Sequence, residues 1–165
     1  MDRQPTVDTV DVVRYSPLTG VDQLIISFLR NYSIAALRIA LGLVFVWFGA
    51  LKVFDVTPVA ELVANTVYWV NPDWLVPVLG VFEVGVGLGL LLRLALRFVL
   101  LALVLQLVGT FLVLVVQPGI AFQDGNPLLL TVEGEFVIKN LVLITAAMVV
   151  GSTVRPVRAP SGPSG

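Results

Sequence analysis

Seven polar side chains are candidates for chemistry because each lies inside or beside a long apolar stretch. They are Arg38, Lys52, Glu83, Gln106, Glu135, Lys139 and Asn140. The chain contains no Cys and no His, which excludes thiolate metal sites, axial histidine haem ligation and imidazole acid–base catalysis within it. We therefore expect no metal site, no catalytic residue and no covalently bound cofactor, so a redox reaction would need a centre supplied by a ligand or a partner.

Glu83 is the most informative of these residues. It lies nine residues after Trp74 and ten before Arg93, near the middle of an apolar segment long enough to cross a bilayer. An ionisable group at that depth is costly and by default suggests function. Gly80 and Gly87 share its helical face, so another helix can approach closely. A structural alternative is a buried ion pair that serves packing alone.

The remaining candidates are placed by depth along neighbouring apolar segments. Gln106 is expected at the level of Glu83, Arg38 nearer the cytoplasmic side, and Lys52, Lys139 and Glu135 nearer the outer side. This ladder predicts a ligand-binding site between helices, in which Glu83 could exchange a proton. Each member also has a structural alternative: an interfacial anchor for Lys52, snorkelling for Arg38, interhelical hydrogen bonding for Gln106, and an i,i+4 pair for Lys139 with Glu135.

The composition requires these side chains to be positioned by membrane-spanning helices. Of the 165 residues, 58% are hydrophobic and 13% are charged, and the mean hydropathy is +0.98. A soluble domain of this size usually carries about a quarter charged residues. We predict a single domain whose partner is the lipid bilayer, and the net charge of −1 gives no indication of nucleic-acid binding.

Four apolar segments are predicted to span the membrane. Their boundaries are 33–54, 74–92, 96–116 and 135–153. About 20 residues of helix are enough to cross a hydrocarbon core of roughly 30 Å. The second and third spans are joined by only a few residues and should form an antiparallel hairpin. The predicted fold is therefore all-α, an integral membrane antiparallel four-helix bundle over residues 33–154.

The segments outside the spans carry further predictions. Residues 1–32 are expected to form a cytoplasmic N-terminal segment, in which 22–30 is a helix at the interface or a leading extension of the first span. Residues 58–70 predict a short surface helix in the first outer loop, with a proline at its start. The segment 117–134 should fold back against the bundle, and the Pro-, Ser- and Gly-rich tail 155–165 should be flexible.

Basic residues predict the orientation of the chain. They gather at the two termini and in the loop between the second and third spans: Arg3, Arg14, Arg30, Arg93, Arg97, Arg155 and Arg158. By the positive-inside rule both termini are cytoplasmic. The opposite loops collect acidic residues instead, which makes the outer mouth of the bundle acidic.

Three segments together resemble the DoxX-like family of small membrane proteins. Residues 37–52, LRIALGLVFVWFGALK, resemble the first helix of that family, and 79–88, LGVFEVGVGL, resemble its second, Glu-bearing helix. Residues 134–141, GEFVIKNL, resemble the start of its fourth helix. The resemblance extends over roughly 33–150 and is closest to the YkgB-type branch, which includes a bacterial reactive-chlorine resistance membrane protein.

The resemblance implies a multi-pass protein of the bacterial cytoplasmic (inner) membrane. Some members are linked to quinone-coupled sulfur oxidation, and others to membrane complexes that protect against oxidants. The leading hypothesis is therefore an accessory or quinone/small-ligand-binding subunit of a redox or oxidative-stress-defence system, in which the non-covalent ligand is a quinone or a small anion. On this analogy the family motif positions are Arg38, Lys52, Glu83, Lys139 and Asn140.

Two other functions fit the same residues. The charged ladder also suits a small solute or proton transporter, which would be a homo-oligomer because four helices leave little room for a pore. Close-packing motifs such as Gly85-x-x-x-Gly89 would equally serve a membrane scaffold that docks a soluble oxidoreductase. These alternatives, and whether the protein is an enzyme, stay open at the level of sequence.

Overall fold

The computed structural model describes residues 18–154, and all regular elements in that range are helical apart from one isolated bridge between Phe122 and Leu130. The predicted features of 1–17 and 155–165, including the arginines there, lie outside the described residues. The helices are α1 (Leu18–Val53), α2 (Ala60–Thr66), α3 (Pro72–Leu92), α4 (Leu96–Thr110), α5 (Leu112–Val116), α6 (Pro118–Ala121) and α7 (Val132–Gly151), with a 3₁₀ turn at Gln123–Gly125.

Four helical stretches in the described part of the chain are long and apolar enough to cross a membrane. They are Gly20–Val53, Pro72–Leu92, Leu96–Val116 and Val132–Gly151. The third comprises α4 and α5, which meet at a residue that keeps helical backbone angles. Many large apolar side chains of these helices remain exposed, as contact with lipid tails requires. The predictions of an all-helical fold and of four long apolar helices are confirmed.

Capping residues explain why two helices begin earlier than predicted. Asn71 precedes α3, and its side chain accepts a hydrogen bond of 2.9 Å from the backbone N–H of Asp73. Thr131 precedes α7, and its hydroxyl accepts one of 3.1 Å from the N–H of Gly134. Such caps satisfy backbone donors that the helix itself leaves free, so α3 begins at Pro72 and α7 at Val132.

The chain divides into two compact units, one up to Ser33 and one from Ile34 onward. The described part of the first unit is helical and includes the predicted stretch 22–30. Within it the hydroxyl of Ser27 donates to the carbonyl of Leu24 at 3.1 Å, and the rings of Phe28 and Tyr32 lie 5.0 Å apart. All residues of the site described below belong to the second unit.

A glycine seam joins α1 to α3 within the second unit. A Cβ built on Gly49 would lie 2.6 Å from the carbonyl oxygen of Gly80, and one built on Gly87 would lie 2.6 Å from that of Gly42. The backbones therefore touch at two points that lie seven residues apart on each helix. The later residue of α1 meets the earlier residue of α3, so the two helices run in opposite directions. The predicted close approach of another helix at Gly80 and Gly87 is confirmed.

The apolar core lies mainly between α3, α4 and α7, with α1 contributing from its side. Its buried members are Leu41, Phe45, Val86, Leu90, Leu100, Leu103, Leu107, Ala146, Ala147 and Val150. The residues Arg93–Ala95 link α3 to α4, and both Arg93 and Ala95 adopt left-handed backbone angles to make this short turn. The tight connection places the middle of α4 beside the middle of α3.

The segment between α5 and α7 folds back onto α7. The N–H of Thr131 donates to the carbonyl of Ala121 at 3.1 Å, and the N–H of Gln123 donates to that of Leu129 at 2.8 Å. Gly134 lies directly under the carbonyl of Ala121, where a larger residue would not fit. These contacts fix the start of α7 relative to α6.

Candidate functional site

A buried ion pair joins the end of α1 to the middle of α3. The Nζ of Lys52 lies 2.6 Å from Oε2 of Glu83, and the two residues are only 6% and 7% exposed. The stem of Lys52 passes over Gly80, where a built Cβ would meet the lysine Cβ at 2.8 Å. The alternative that Lys52 is an interfacial anchor is therefore wrong, since its side chain points into the protein.

Gln106 of α4 completes a three-residue cluster with this pair. Its Nε2 donates to Oε1 of Glu83, so each carboxylate oxygen accepts one hydrogen bond. Its own Oε1 is buried and accepts none from the described residues. An unsatisfied buried acceptor costs about 1–3 kcal/mol. Gln106 does lie beside Glu83, as its depth predicted.

A second polar contact lies one turn further along α4. Asn140 is buried on α7, and its Nδ2 donates to Oγ1 of Thr110 at 2.6 Å. The hydroxyl of Thr110 in turn donates to the carbonyl of Leu107 at 2.6 Å. The spacing of four between Gln106 and Thr110 places both on one face of α4, so one face of that helix serves both polar groups.

Both polar contacts face a half-enclosed cavity of about 670 Å³ formed by α1–α5 and α7. Its polar lining residues are Lys52, Thr66, Glu83, Gln106, Thr110, Lys139 and Asn140, and most of the remaining side chains are apolar. Cavities of about 300–1,000 Å³ with an apolar lining and a few polar groups are typical ligand sites. The cavity can therefore hold a mostly apolar molecule with a polar head near Glu83.

The helix α2 covers one side of this cavity and is fastened by Gln117. The Nε2 of Gln117, which follows α5, donates to the carbonyl of Leu62 at 3.0 Å and to Oγ1 of Thr66 at 2.6 Å. Leu62, Val63 and Thr66 all line the cavity. The short helix found at 60–66 falls within the predicted helix 58–70, and its contacts make it a cover for the site.

Lys139 and Glu135 form a separate pair on α7. Nζ of Lys139 lies 3.2 Å from Oε2 of Glu135, and their side chains are 71% and 57% exposed. Lys139 reaches the edge of the cavity, whereas Glu135 does not line it. The predicted ladder grouped Lys52 with this pair, but Lys52 reaches Glu83 instead.

Arg38 lies away from the cavity, at the carboxyl end of α3. Its Nη1 donates to the carbonyl of Leu90 and, at 3.0 Å, to that of Leu91. These carbonyls belong to the last turn of the helix, where backbone acceptors lack intrahelical partners and a positive charge is favourable. The structure therefore gives Arg38 a helix-capping contact and does not bring it to the ligand cavity.

Several residues at the cavity escaped the sequence analysis. Phe48 and Phe136 face each other with ring centroids 6.1 Å apart in an edge-to-face arrangement, and Thr66 and Gln117 hold the cover. Aromatic and hydroxyl residues in apolar helices carry no signal of their own, because their partners lie on other helices.

In residues 18–154 no three His, Cys, Asp or Glu side chains converge as a metal site would require.

Comparison with protein families matches the DoxX family to residues 33–116. This range holds the ion pair, Gln106, Thr110 and the cover helix, whereas Asn140 and Lys139 lie beyond it. No curated protein and no solved structure matches the chain.

Proposed function

This chain belongs to the DoxX family of membrane proteins, and on that premise we propose that it is an accessory subunit that binds a quinone in the cavity beside Glu83. The observation that carries the proposal is the buried Lys52–Glu83–Gln106 cluster facing an apolar cavity. A quinone has the matching chemistry, since its ring carbonyls accept hydrogen bonds and its tail is apolar.

The cluster offers hydrogen bonds to such a ring. An ammonium carries three N–H donors, and within the described residues Nζ of Lys52 bonds only to Glu83. The other donors are free to bind a ring carbonyl. Glu83 holds the lysine in place and is itself held by Gln106, and Glu83 can exchange a proton when the ring is reduced or oxidised. The redox centre belongs to the ligand, in keeping with a chain that has neither Cys nor His.

The proposal extends to the setting in which the protein works. The resemblance to the YkgB-type branch supports a role in oxidative-stress defence in a bacterial inner membrane, beside a partner oxidoreductase that exchanges electrons with the quinone. The apolar helices and the arginine distribution support an antiparallel four-helix bundle with both termini in the cytoplasm. The protein itself would supply the binding site rather than a catalytic residue.

Quinone binding can be measured directly on the purified protein in lipid nanodiscs with decyl-ubiquinone. We expect Glu83→Gln, whose amide keeps the shape of the side chain, to remain folded at reduced stability, because Lys52 loses its counter-ion. Binding should weaken by about tenfold, the scale of a lost charge-assisted hydrogen bond. Glu61→Gln is the matched control, because Glu61 is exposed on α2 and does not line the cavity. Unchanged affinity in Glu83→Gln would refute the site, and partner-free proton or solute flux in liposomes would favour a transporter.

The orientation has a clean test because the chain contains no cysteine. We expect a single cysteine at Leu94, in the turn between α3 and α4, to be protected from an impermeant thiol reagent in intact cells. A cysteine at Leu128, which is 88% exposed in the segment before α7, should be labelled. The reverse pattern would place the termini outside the cytoplasm.

A further inference from the structure

We infer that the cavity opens sideways into the bilayer, and that Phe48 and Phe136 select a ligand with a long apolar tail, which leaves between them. The inference rests on the proposed quinone site and adds the route of entry and the class of quinone. A tailed quinone would enter from the lipid, with its ring at Lys52 and Glu83 and its tail pointing outward past the two phenyl rings.

Phe48 and Phe136 are at once part of the cavity wall and part of the outer surface. Both line the cavity, yet they are 38% and 42% exposed. Both belong to membrane-spanning helices, α1 and α7. A side chain that contacts the cavity on one side and the surroundings on the other stands at an opening, and at this position the surroundings are lipid.

The exposed part of the cavity wall is apolar almost throughout. Besides the two phenyl rings, Leu112 and Val142 line the cavity and are 46% and 68% exposed. Lys139 is the charged exception, and it is paired with Glu135. A water-soluble solute would require a polar opening, whereas an apolar tail matches this one.

Three contacts close other parts of the cavity wall. Gln117 fastens the cover helix α2 through Thr66, and Gly49 and Gly80 leave no gap between α1 and α3. On the far side, Asn140 of α7 bonds to Thr110 of α4. A ligand held at Glu83 can extend toward the exposed, apolar part of the wall, where none of these contacts stands in its way.

The spacing along the helices places each phenyl ring about the length of a quinone ring away from a polar group. Phe48 precedes Lys52 by four residues and Phe136 precedes Asn140 by four, so each ring lies about one turn, or about 6 Å, from a polar residue on the same helix face. A quinone ring is of similar size. A ring bonded to Lys52 places its tail substituent beside the phenyl pair.

The test compares two quinones that share a head group: a fully substituted ring carrying only methyl and methoxy groups, and the same ring with a decyl tail. Affinities are measured in nanodiscs and expressed against the quinone concentration in the lipid. We expect Phe48→Ala and Phe136→Ala each to weaken binding of the decyl compound by about fivefold, the scale of one lost aromatic contact. Binding of the tail-less compound should stay within about twofold of wild type.

Phe82→Ala is the matched control, because Phe82 has the same 42% exposure as Phe136 but lies on α3 outside this cavity. It should leave both affinities unchanged, and Phe48→Leu and Phe136→Leu serve if an alanine variant does not fold. Equal losses for both quinones, or none for either, would overturn the lateral opening and leave the quinone site standing. Failure of the wild-type protein to bind either compound would instead refute the proposed function.

Discussion

Lys52 and Glu83 form a buried ion pair of 2.6 Å although 31 residues separate them in the sequence. The contact is possible because α1 and α3 touch at Gly49 and Gly80, where neither helix has a side chain. Two charges removed from water stabilise a fold little, or even destabilise it, compared with well-packed apolar residues. A buried pair beside a cavity therefore points to ligand binding more than to stability.

Removing one partner of this pair should be far more damaging than removing both. We expect Lys52→Met to lower the free energy of unfolding by about 3–5 kcal/mol, because it leaves the Glu83 carboxylate buried without its counter-ion. The double variant Lys52→Met/Glu83→Leu should recover most of that loss. Unfolding in mixed micelles with increasing SDS, followed by circular dichroism, measures both.

The exposed pair on α7 provides the control for this experiment. Lys139→Met breaks a contact of 3.2 Å between side chains that are more than half exposed, so we expect a loss of only about 0.2–0.5 kcal/mol. If Lys52→Met and Lys139→Met destabilise the protein equally, the pair of Lys52 with Glu83 is not buried as the structure has it.

The glycine seam predicts a position-specific effect of adding one methyl group. In Gly49→Ala the new Cβ would lie 2.6 Å from the carbonyl oxygen of Gly80 and 2.7 Å from the backbone nitrogen of Val84. Real Cβ atoms do not approach backbone so closely, and helices of a packed core move apart only at a cost of about 1–3 kcal/mol. We expect a lower Tm and a weakened Lys52–Glu83 contact, measurable as reduced quinone affinity.

Gly85→Ala is the matched control on the same helix. A Cβ built there meets nothing within 4 Å, and alanine is about 0.5–1 kcal/mol better than glycine inside a helix in water. The variant should be neutral or slightly stabilising. If Gly85→Ala and Gly49→Ala destabilise the protein equally, the glycines are needed for helix flexibility and not for close packing of α1 against α3.

Hydropathy and spacing were enough to predict the parts of the fold that depend on one helix at a time. Four spans follow from length and apolar content, and the close approach at Gly80 and Gly87 follows from their sharing a face with Glu83. Glu83 and Gln106 were expected at one depth and do meet. These features need only a position along a helix axis.

Features that depend on where a long side chain points were not predictable in this way. Lys52 lies at the end of α1, and depth alone favoured the interface, whereas its flexible stem carries the charge inward to Glu83. Arg38 bonds to backbone carbonyls, and a sequence pattern contains no information about free backbone acceptors on another helix. The fastening of α2 by Gln117 likewise depends on two segments 51 residues apart.

Arg38 is expected to matter for stability and not for ligand affinity. Arg38→Leu leaves the carbonyls of Leu90 and Leu91 without their side-chain donor, which should cost about 1–3 kcal/mol. Arg38→Lys should recover part of the loss, because an ammonium still favours a helix carboxyl end but lacks the planar fork of donors. Thermal unfolding and quinone titration on the same samples separate the two effects. A variant with normal Tm and lost quinone binding would return Arg38 to the ligand site.

The contact between Gln117 and Thr66 should control how firmly α2 covers the cavity. In Gln117→Leu both hydrogen bonds to the cover are lost, the one to Leu62 and the one to Thr66, and a typical hydrogen bond contributes about 0.5–1.5 kcal/mol. We expect faster hydrogen exchange of the amides in Ala60–Thr66, with α3 and α7 unchanged, because local opening of a short helix does not require global unfolding.

A double-mutant cycle with Thr66→Val tests whether the two residues act as one unit. Combining Gln117→Leu with Thr66→Val should increase exchange less than the sum of the single effects, since both changes remove the same 2.6 Å contact. Gln123→Leu is the control, because Gln123 bonds to the carbonyl of Leu130 and not to α2. Additive effects of Gln117 and Thr66, or faster exchange of α2 in Gln123→Leu, would show that something other than this contact holds the cover closed.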